Sequence, residues 1–385
     1  MSFEDIKKLD DAYVMHTYGR YNLAIDHGKG AICYDPAGKS YIDFTSGIGV
    51  NSLGFADEGW VAAVTAQLNK LQHISNLYYT EPCVLAAKLI CEKSGMKKVF
   101  FGNSGAEANE GVIKAARKYS FQKYGEGRSK IVALENSFHG RTMAALSATG
   151  QNVYHNFFFP FVDGFVFAKA NDTEDMLSKL TDDVCAVMME LVQGEGGVMP
   201  LEKEYVQAVY AACQKKDILF IVDEVQTGVG RTGTFYSYQQ FGIQPDLVSS
   251  AKGLGGGLPI GAKTQDTLIP GDHGSTFGGN PVVCAGAVEV LNRMDDTFLQ
   301  NVTAKGRHMR EEIEKMPHVT SVAGMGMMLG IELDIDVKPV VTALMENGLL
   351  VLTAKHKMRL LPPLNIAQTE LEKGLSILKN TLAAL

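Results

Sequence analysis

Five short apolar runs, each closed by polar or glycine residues, constrain this chain more than any other feature. They occupy residues 99–101, 131–134, 184–189, 218–222 and 247–249. Each is apolar, rich in β-branched side chains and too short for a helix, so each reads as a buried strand. Amphipathic stretches such as 108–123 and 203–215 lie between several of them. This strand–helix rhythm predicts a largely parallel sheet covered by helices on both faces, because parallel neighbours need a crossover between them. The last hundred or so residues read as a smaller α+β unit. There, helices are expected at 281–294, 302–315 and 369–382, with a glycine-broken strand at 322–333.

Composition removes several function classes. A formal net charge of −7 opposes a general role on nucleic acid or an anionic membrane. The six cysteines include no C-x-x-C pair, which suits free thiols in a reducing compartment. The nine histidines form no H-x-x-x-H pair and no cluster with cysteine, so no metal site is expected. The N-terminus has no apolar signal region, and no run is long enough to span a bilayer. Cytoplasmic residence is the expectation.

Ligands of an open parallel sheet bind beyond the carboxyl ends of its strands. Three strand ends carry candidates for chemistry. Ser104-Gly105-Ala106-Glu107 has the spacing of a capping box at a helix start, whose free amides and dipole suit a phosphate. The same residues fit a plain helix cap. Asp223 closes a very apolar strand, where an ionised carboxylate is costly unless paired. A protonated pyridine nitrogen would pair it, as would loop amides or an arginine. Lys252 sits between Ala251 and the glycine-rich run Gly253-Leu254-Gly255-Gly256-Gly257. Partial burial and nearby cations would lower its pKa and free the amine to react with an aldehyde, and the glycines would admit a bulky ring. An exposed loop lysine is the plain alternative. Gly228-Val229-Gly230-Arg231-Thr232-Gly233 matches the dinucleotide-binding fingerprint, which would suit a nicotinamide-dependent oxidoreductase. That fingerprint needs strand, turn and helix in direct succession, and the spacing here predicts only a glycine-rich turn.

In order along the chain, these residues resemble those of the class III aminotransferases, which have the type I pyridoxal-phosphate transferase fold. The resemblance runs from Thr17-Tyr18-Gly19-Arg20-Tyr21 to Arg359-Leu360-Leu361-Pro362-Pro363-Leu364. It is most specific at Gly255-Gly256-Gly257-Leu258-Pro259-Ile260-Gly261 and Gly271-Asp272-His273-Gly274-Ser275-Thr276-Phe277-Gly278-Gly279-Asn280-Pro281. It implies an α/β architecture: a large cofactor-binding domain over 49–284, a small α+β domain over 285–385, and an N-terminal segment, 1–48, belonging to the small domain. It implies pyridoxal 5′-phosphate held by Lys252, with Asp223 on the pyridinium nitrogen. Phe138 and Val225 would lie on the two ring faces, Gln226 on the ring hydroxyl, and Gly105 and Ala106 on the phosphate. Glu224, in the same string, would belong to the cofactor set.

Thr276 would reach the phosphate of a neighbouring subunit, making the protein a homodimer with shared sites. Arg141 and Ser275 would bind the substrate near its carboxylate and acetylamino end. Arg359 would take the α-carboxylate of glutamate or 2-oxoglutarate. Glu195 would mask that arginine when an amine-bearing substrate arrives, with Glu190 as the alternative. The implied reaction moves the δ-amino group of N2-acetyl-L-ornithine to 2-oxoglutarate; ornithine, succinylornithine, N-succinyl-diaminopimelate semialdehyde and 4-aminobutyrate are the rival substrates. The chain departs from the family at Gly54-Phe55-Ala56-Asp57-Glu58, at Ala323, and in the short connection from Lys263 to Pro270.

Overall fold

In the computed structural model, which describes residues 1–264 and 267–385, the five expected strands pair within one seven-stranded sheet. Its order is Val99–Gly102, Gly261–Thr264, Leu247–Ser250, Leu219–Asp223, Val184–Met189, Lys130–Leu134 and Phe165–Ala168. Only Gly261–Thr264 runs antiparallel to its neighbours. That strand and Phe165–Ala168 go beyond the five runs read from the sequence. Gly-Ala-Lys-Thr has no apolar run to mark it, and only pairing on both sides makes it a strand. Part of the short connection that follows, residues 265 and 266, lies outside the described residues.

Both faces of this sheet are buried, which explains the continuous apolar runs. Ile131, Ala186, Met188, Ile221 and Leu247 pack with Val112, Ile113 and Ala116 of the helix Gly105–Tyr124. Their neighbours Val132, Val187, Phe220, Val222 and Val248 face the other way, into the main core with Val206, Val209 and Cys213 of the helix Lys203–Lys216. Side chains alternate faces with a period of two, so covering both faces makes every position apolar.

The C-terminal helices Pro281–Arg293, Asp296–Ile313 and Gln368–Ala383 form. The second starts six residues before the sequence reading placed it, where the Asp295 carboxylate accepts from Phe298 N at 2.8 Å. The stretch read as one broken strand is a hairpin of Val319–Met325 and Met328–Leu333, turned at Gly326 with φ +55. It continues through Lys357–Leu360 to Leu352–Ala354 in a four-stranded antiparallel sheet. The N-terminal strand Ser40–Asp43 pairs in parallel with Leu349–Leu350, joining the two ends of the chain. Residue 284, the expected end of the large domain, falls inside the helix Pro281–Arg293, which packs on Glu58–Lys70 and Glu81–Ser94.

Residues 228–233 form turns and bends with no helix directly after them, the next being the short Tyr238–Phe241, so they lack the geometry of a dinucleotide site. Arg231 is buried there and donates to Met327 O at 3.1 Å and Pro362 O at 2.6 Å. It thereby ties the turn after Asp223 to the C-terminal sheet. Burial pulls its pKa down to about 9, against the opposing charge of Asp43.

Candidate active site

The parallel strands end on one rim, and the antiparallel strand brings its beginning, Pro259-Ile260, to the same edge. Together they enclose a cavity of about 450 Å³ lined by Gly105, Ala106, Phe138, Arg141, Glu190, Glu195, Asp223, Val225, Gln226 and Lys252, among others. These residues are up to 147 positions apart in sequence, from Gly105 to Lys252.

At the helix start, the Ser104 hydroxyl accepts from Glu107 N at 3.1 Å. The expected capping box forms only in part, because the Glu107 carboxylate reaches back to Asn103 N at 2.8 Å instead of Ser104 N. The Gly105 and Ala106 ends of this helix still face the cavity. A Cβ on Gly105 would meet Val225 Cγ1 at 2.6 Å, so glycine is what lets the helix start seat against Val225.

Asp223 is 3% exposed, and both of its oxygens are held. Oδ2 accepts from His139 Nδ1 at 2.8 Å and Asn109 Nδ2 at 2.7 Å, while Oδ1 accepts from Val225 N at 2.9 Å. Asn109 also donates to His139 O at 2.6 Å, so the clamp is braced on itself. Burial works against a charge on His139, but the bond and charge of Asp223, helped by Glu190, hold the imidazole above its ordinary range. His139 and Asn109 have no place in the sequence reading. The available signal was that Asn109 lies one helical turn after Gly105, on the same face.

Lys252 follows the strand Leu247–Ser250 with φ +43, a left-handed conformation that costs a non-glycine residue roughly 1–2 kcal/mol. The fold therefore holds this lysine against its backbone preference. Burial first, and Arg359 after it, bring the amine below the usual lysine range against the pull of Glu195, Asp223 and Glu190. The glycines after it admit a bulky ring, but that ring is the Trp60 indole. A Cβ on Gly256 would lie 2.7 Å from Trp60 Nε1, which donates to Gly255 O at 3.1 Å.

Arg359 is 2% exposed and donates to Glu195 Oε1 at 2.6 Å and Gln226 Oε1 at 3.2 Å. Burial opposes ionisation of Glu195, yet the Arg359 charge and hydrogen bond keep its carboxylate below the usual range. Glu190, the alternative partner, instead accepts from Phe138 N at 2.9 Å and Gly194 N at 3.2 Å. Glu224 is turned away from the cavity: its carboxylate bonds Thr227 Oγ1, Ser237 Oγ and Tyr238 N. Its side chain thus secures the following turn and does not line the cavity, where the cofactor role expected for it would place it. Ser275 and Thr276 do not line the cavity of the single chain. Ser275 Oγ accepts from Asn103 Nδ2 at 3.1 Å, and Asn103 does line it, while Thr276 is exposed.

Burial pushes the Glu190 pKa up to about 7 from an ordinary 4.5, with His139 opposing and Asp223 adding to it. The native state keeps this proton over a pH window in which the unfolded chain has lost it, so stability falls as pH rises through that window. Cofactor-free protein should therefore lose melting temperature between roughly pH 5 and 7 by more than the Glu190→Gln variant does. Identical slopes in a melting series would rule out this assignment.

The set fits pyridoxal phosphate. A helix start open to the cavity suits the phosphate, a buried carboxylate suits a pyridinium, and a desolvated amine suits the aldehyde. Residues 13–382 match the class-III aminotransferase family, and the chain belongs to it. Among its relatives, the acetylornithine aminotransferase of Haemophilus ducreyi is 53% identical over the whole of both chains. That of Caldanaerobacter subterraneus is 46% identical over 96% of this chain and 97% of its own. Among solved structures, the ornithine aminotransferase of Toxoplasma gondii superposes with a TM-score of 0.95 at 32% identity, covering 100% and 96% of the two chains. The N-acetylornithine aminotransferase of Stenotrophomonas maltophilia gives 0.84 at 33% identity, covering 98% of each.

Proposed function

We propose that this chain transfers the δ-amino group of N2-acetyl-L-ornithine to 2-oxoglutarate, giving N-acetyl-L-glutamate 5-semialdehyde and L-glutamate, with pyridoxal phosphate on Lys252. The step belongs to arginine biosynthesis and takes place in the cytoplasm. The carrying observation is the Arg359–Glu195 pair at 2.6 Å, whose Glu195 lines the same cavity as Arg141, an arginine that forms no ion pair among the described residues. Acetylornithine carries no carboxylate beside its reacting carbon, so Arg359 must be neutralised while that donor is bound. With 2-oxoglutarate a carboxylate adjoins the ketone, and Glu195 must yield Arg359 to it. Arg141 takes the distal end of either substrate.

Pyridoxal phosphate supplies an aldehyde that bonds the amine and a ring that accepts the electron pair left when the adjacent carbon loses its proton. Asp223 holds its charge on the ring nitrogen, steadied by His139 and Asn109. Lys252 Nζ takes and returns the proton, since a lowered pKa leaves more of it as free amine. Phe138 and Val225 confine the ring between them.

A homodimer is part of this reading. Leu77, Tyr79 and Phe277 are 88%, 100% and 63% exposed. Asn76 Nδ2 binds the Thr276 loop to that apolar segment, donating to Ser275 O at 3.1 Å and Gly278 O at 2.7 Å. A second subunit would cover these side chains and receive Thr276. The overall fold alone leaves ornithine as a second donor, given the TM-score of 0.95. Initial velocities with acetylornithine and 2-oxoglutarate test the reaction: parallel reciprocal lines are expected, because one site serves both halves in turn. Converging lines, or purified protein without visible absorbance, would overturn it.

A further inference from the structure

We infer that Tyr154 is a positioning residue that presents Arg141 to the carboxylated end of the amino donor; the inference rests on the reading just given. The Arg141 guanidinium carbon lies 3.9 Å from the centroid of the Tyr154 ring, against 5.4 Å for Phe138. The two rings meet edge to face at 5.7 Å and 73°. Arg141 is exposed on the cavity rim and makes no hydrogen bond or ion pair among the described residues. Its charge is therefore held by aromatic faces alone, which orient a guanidinium without occupying its N–H donors. A carboxylate partner would fix it equally well but would compete with the substrate.

Tyr154 is itself fixed. It ends the short helical turn Asn152–Tyr154, and the residues around it are anchored in the fold. Gln151 Nε2 donates to Asn136 O and Ser137 O, both at 3.2 Å. His155 Nε2 bonds Leu146 O at 2.9 Å, and its ring lies 5.0 Å from that of Phe161. On the other side, Glu110 binds the Thr142 hydroxyl at 2.6 Å and Ala144 N at 3.0 Å, fixing the backbone that carries Arg141. Platform and arginine are thus held from opposite sides, and only the stacking joins them. A free arginine at this rim would lose its rotamer freedom on each binding event; the stacked one has already lost it.

The test compares Tyr154→Leu, which removes the aromatic face, with Tyr154→Phe, which keeps it. Tyr154→Leu should raise KM for acetylornithine about tenfold with kcat nearly unchanged, and Tyr154→Phe should restore it. In an Arg141→Leu background, Tyr154→Leu should lower kcat/KM no further, as two members of one unit require. Equal falls in kcat and kcat/KM for both Tyr154 variants, or a full Tyr154→Leu effect persisting without Arg141, would make Tyr154 merely structural and overturn the inference. If wild-type protein uses ornithine instead of acetylornithine, the functional reading fails, and the same three comparisons with ornithine decide the role of Tyr154.

Discussion

Lys252→Ala should lower turnover by about four orders of magnitude while leaving a folded protein that still takes up pyridoxal phosphate without a covalent link. Two losses combine. The lysine is the group placed to bond the aldehyde, and its freed amine is the base that moves the proton. No other amine lines the cavity among the described residues. The fold maintains Lys252 at φ +43 and in a desolvated place; alanine keeps the backbone strain but removes the cost of burying the amine. Thermal stability without cofactor should therefore hold or rise while activity collapses. Turnover within tenfold of wild type, measured with acetylornithine and 2-oxoglutarate, would contradict the assignment.

Asp223→Asn should weaken pyridoxal phosphate binding about 10- to 100-fold and slow the reaction by roughly a thousandfold. The direction follows from the clamp. His139 Nδ1 and Asn109 Nδ2 both donate to Oδ2. An asparagine must therefore keep its carbonyl there and turn its amide NH₂ toward Val225 N and the cavity. It then meets a donor at Val225 N and offers a donor where a ring nitrogen needs an acceptor. His139 keeps a bond to that carbonyl but loses the charge of Asp223 that helps raise its pKa. Titration of cofactor-free protein by fluorescence gives the affinity separately from the rate. Wild-type affinity in Asp223→Asn would show that the carboxylate does not face the ring nitrogen.

Residues at strand ends were legible because local rules place them. Asp223 closes an apolar run and Lys252 opens a glycine stretch, and a parallel sheet brings such ends to one rim. The Arg359–Glu195 pair, 164 residues apart, came from the family resemblance and not from any local pattern. His139 and Asn109 remained hidden because their role exists only where the helix Gly105–Tyr124 crosses the end of the strand Leu219–Asp223. Tyr154 lies in an aromatic stretch with no helical or strand period, so nothing in the sequence joins it to Arg141. Glu224 was placed with the cofactor through its neighbours, yet a strand alternates faces, and the residue after Asp223 turns the other way. The glycine run was read as room for a ligand ring, and Trp60, almost two hundred positions earlier, fills part of that room.

The central claim is that this cavity selects an acylated amino acid as its donor. Free ornithine would bring an extra ammonium group close to Arg141, whose charge no carboxylate offsets among the described residues; acetylation removes that repulsion. Specificity constants for acetylornithine, ornithine, succinylornithine and 4-aminobutyrate, each with saturating 2-oxoglutarate, test it most directly. Acetylornithine should exceed ornithine by about 30-fold or more. Equal constants, or a preference for ornithine, would contradict the account.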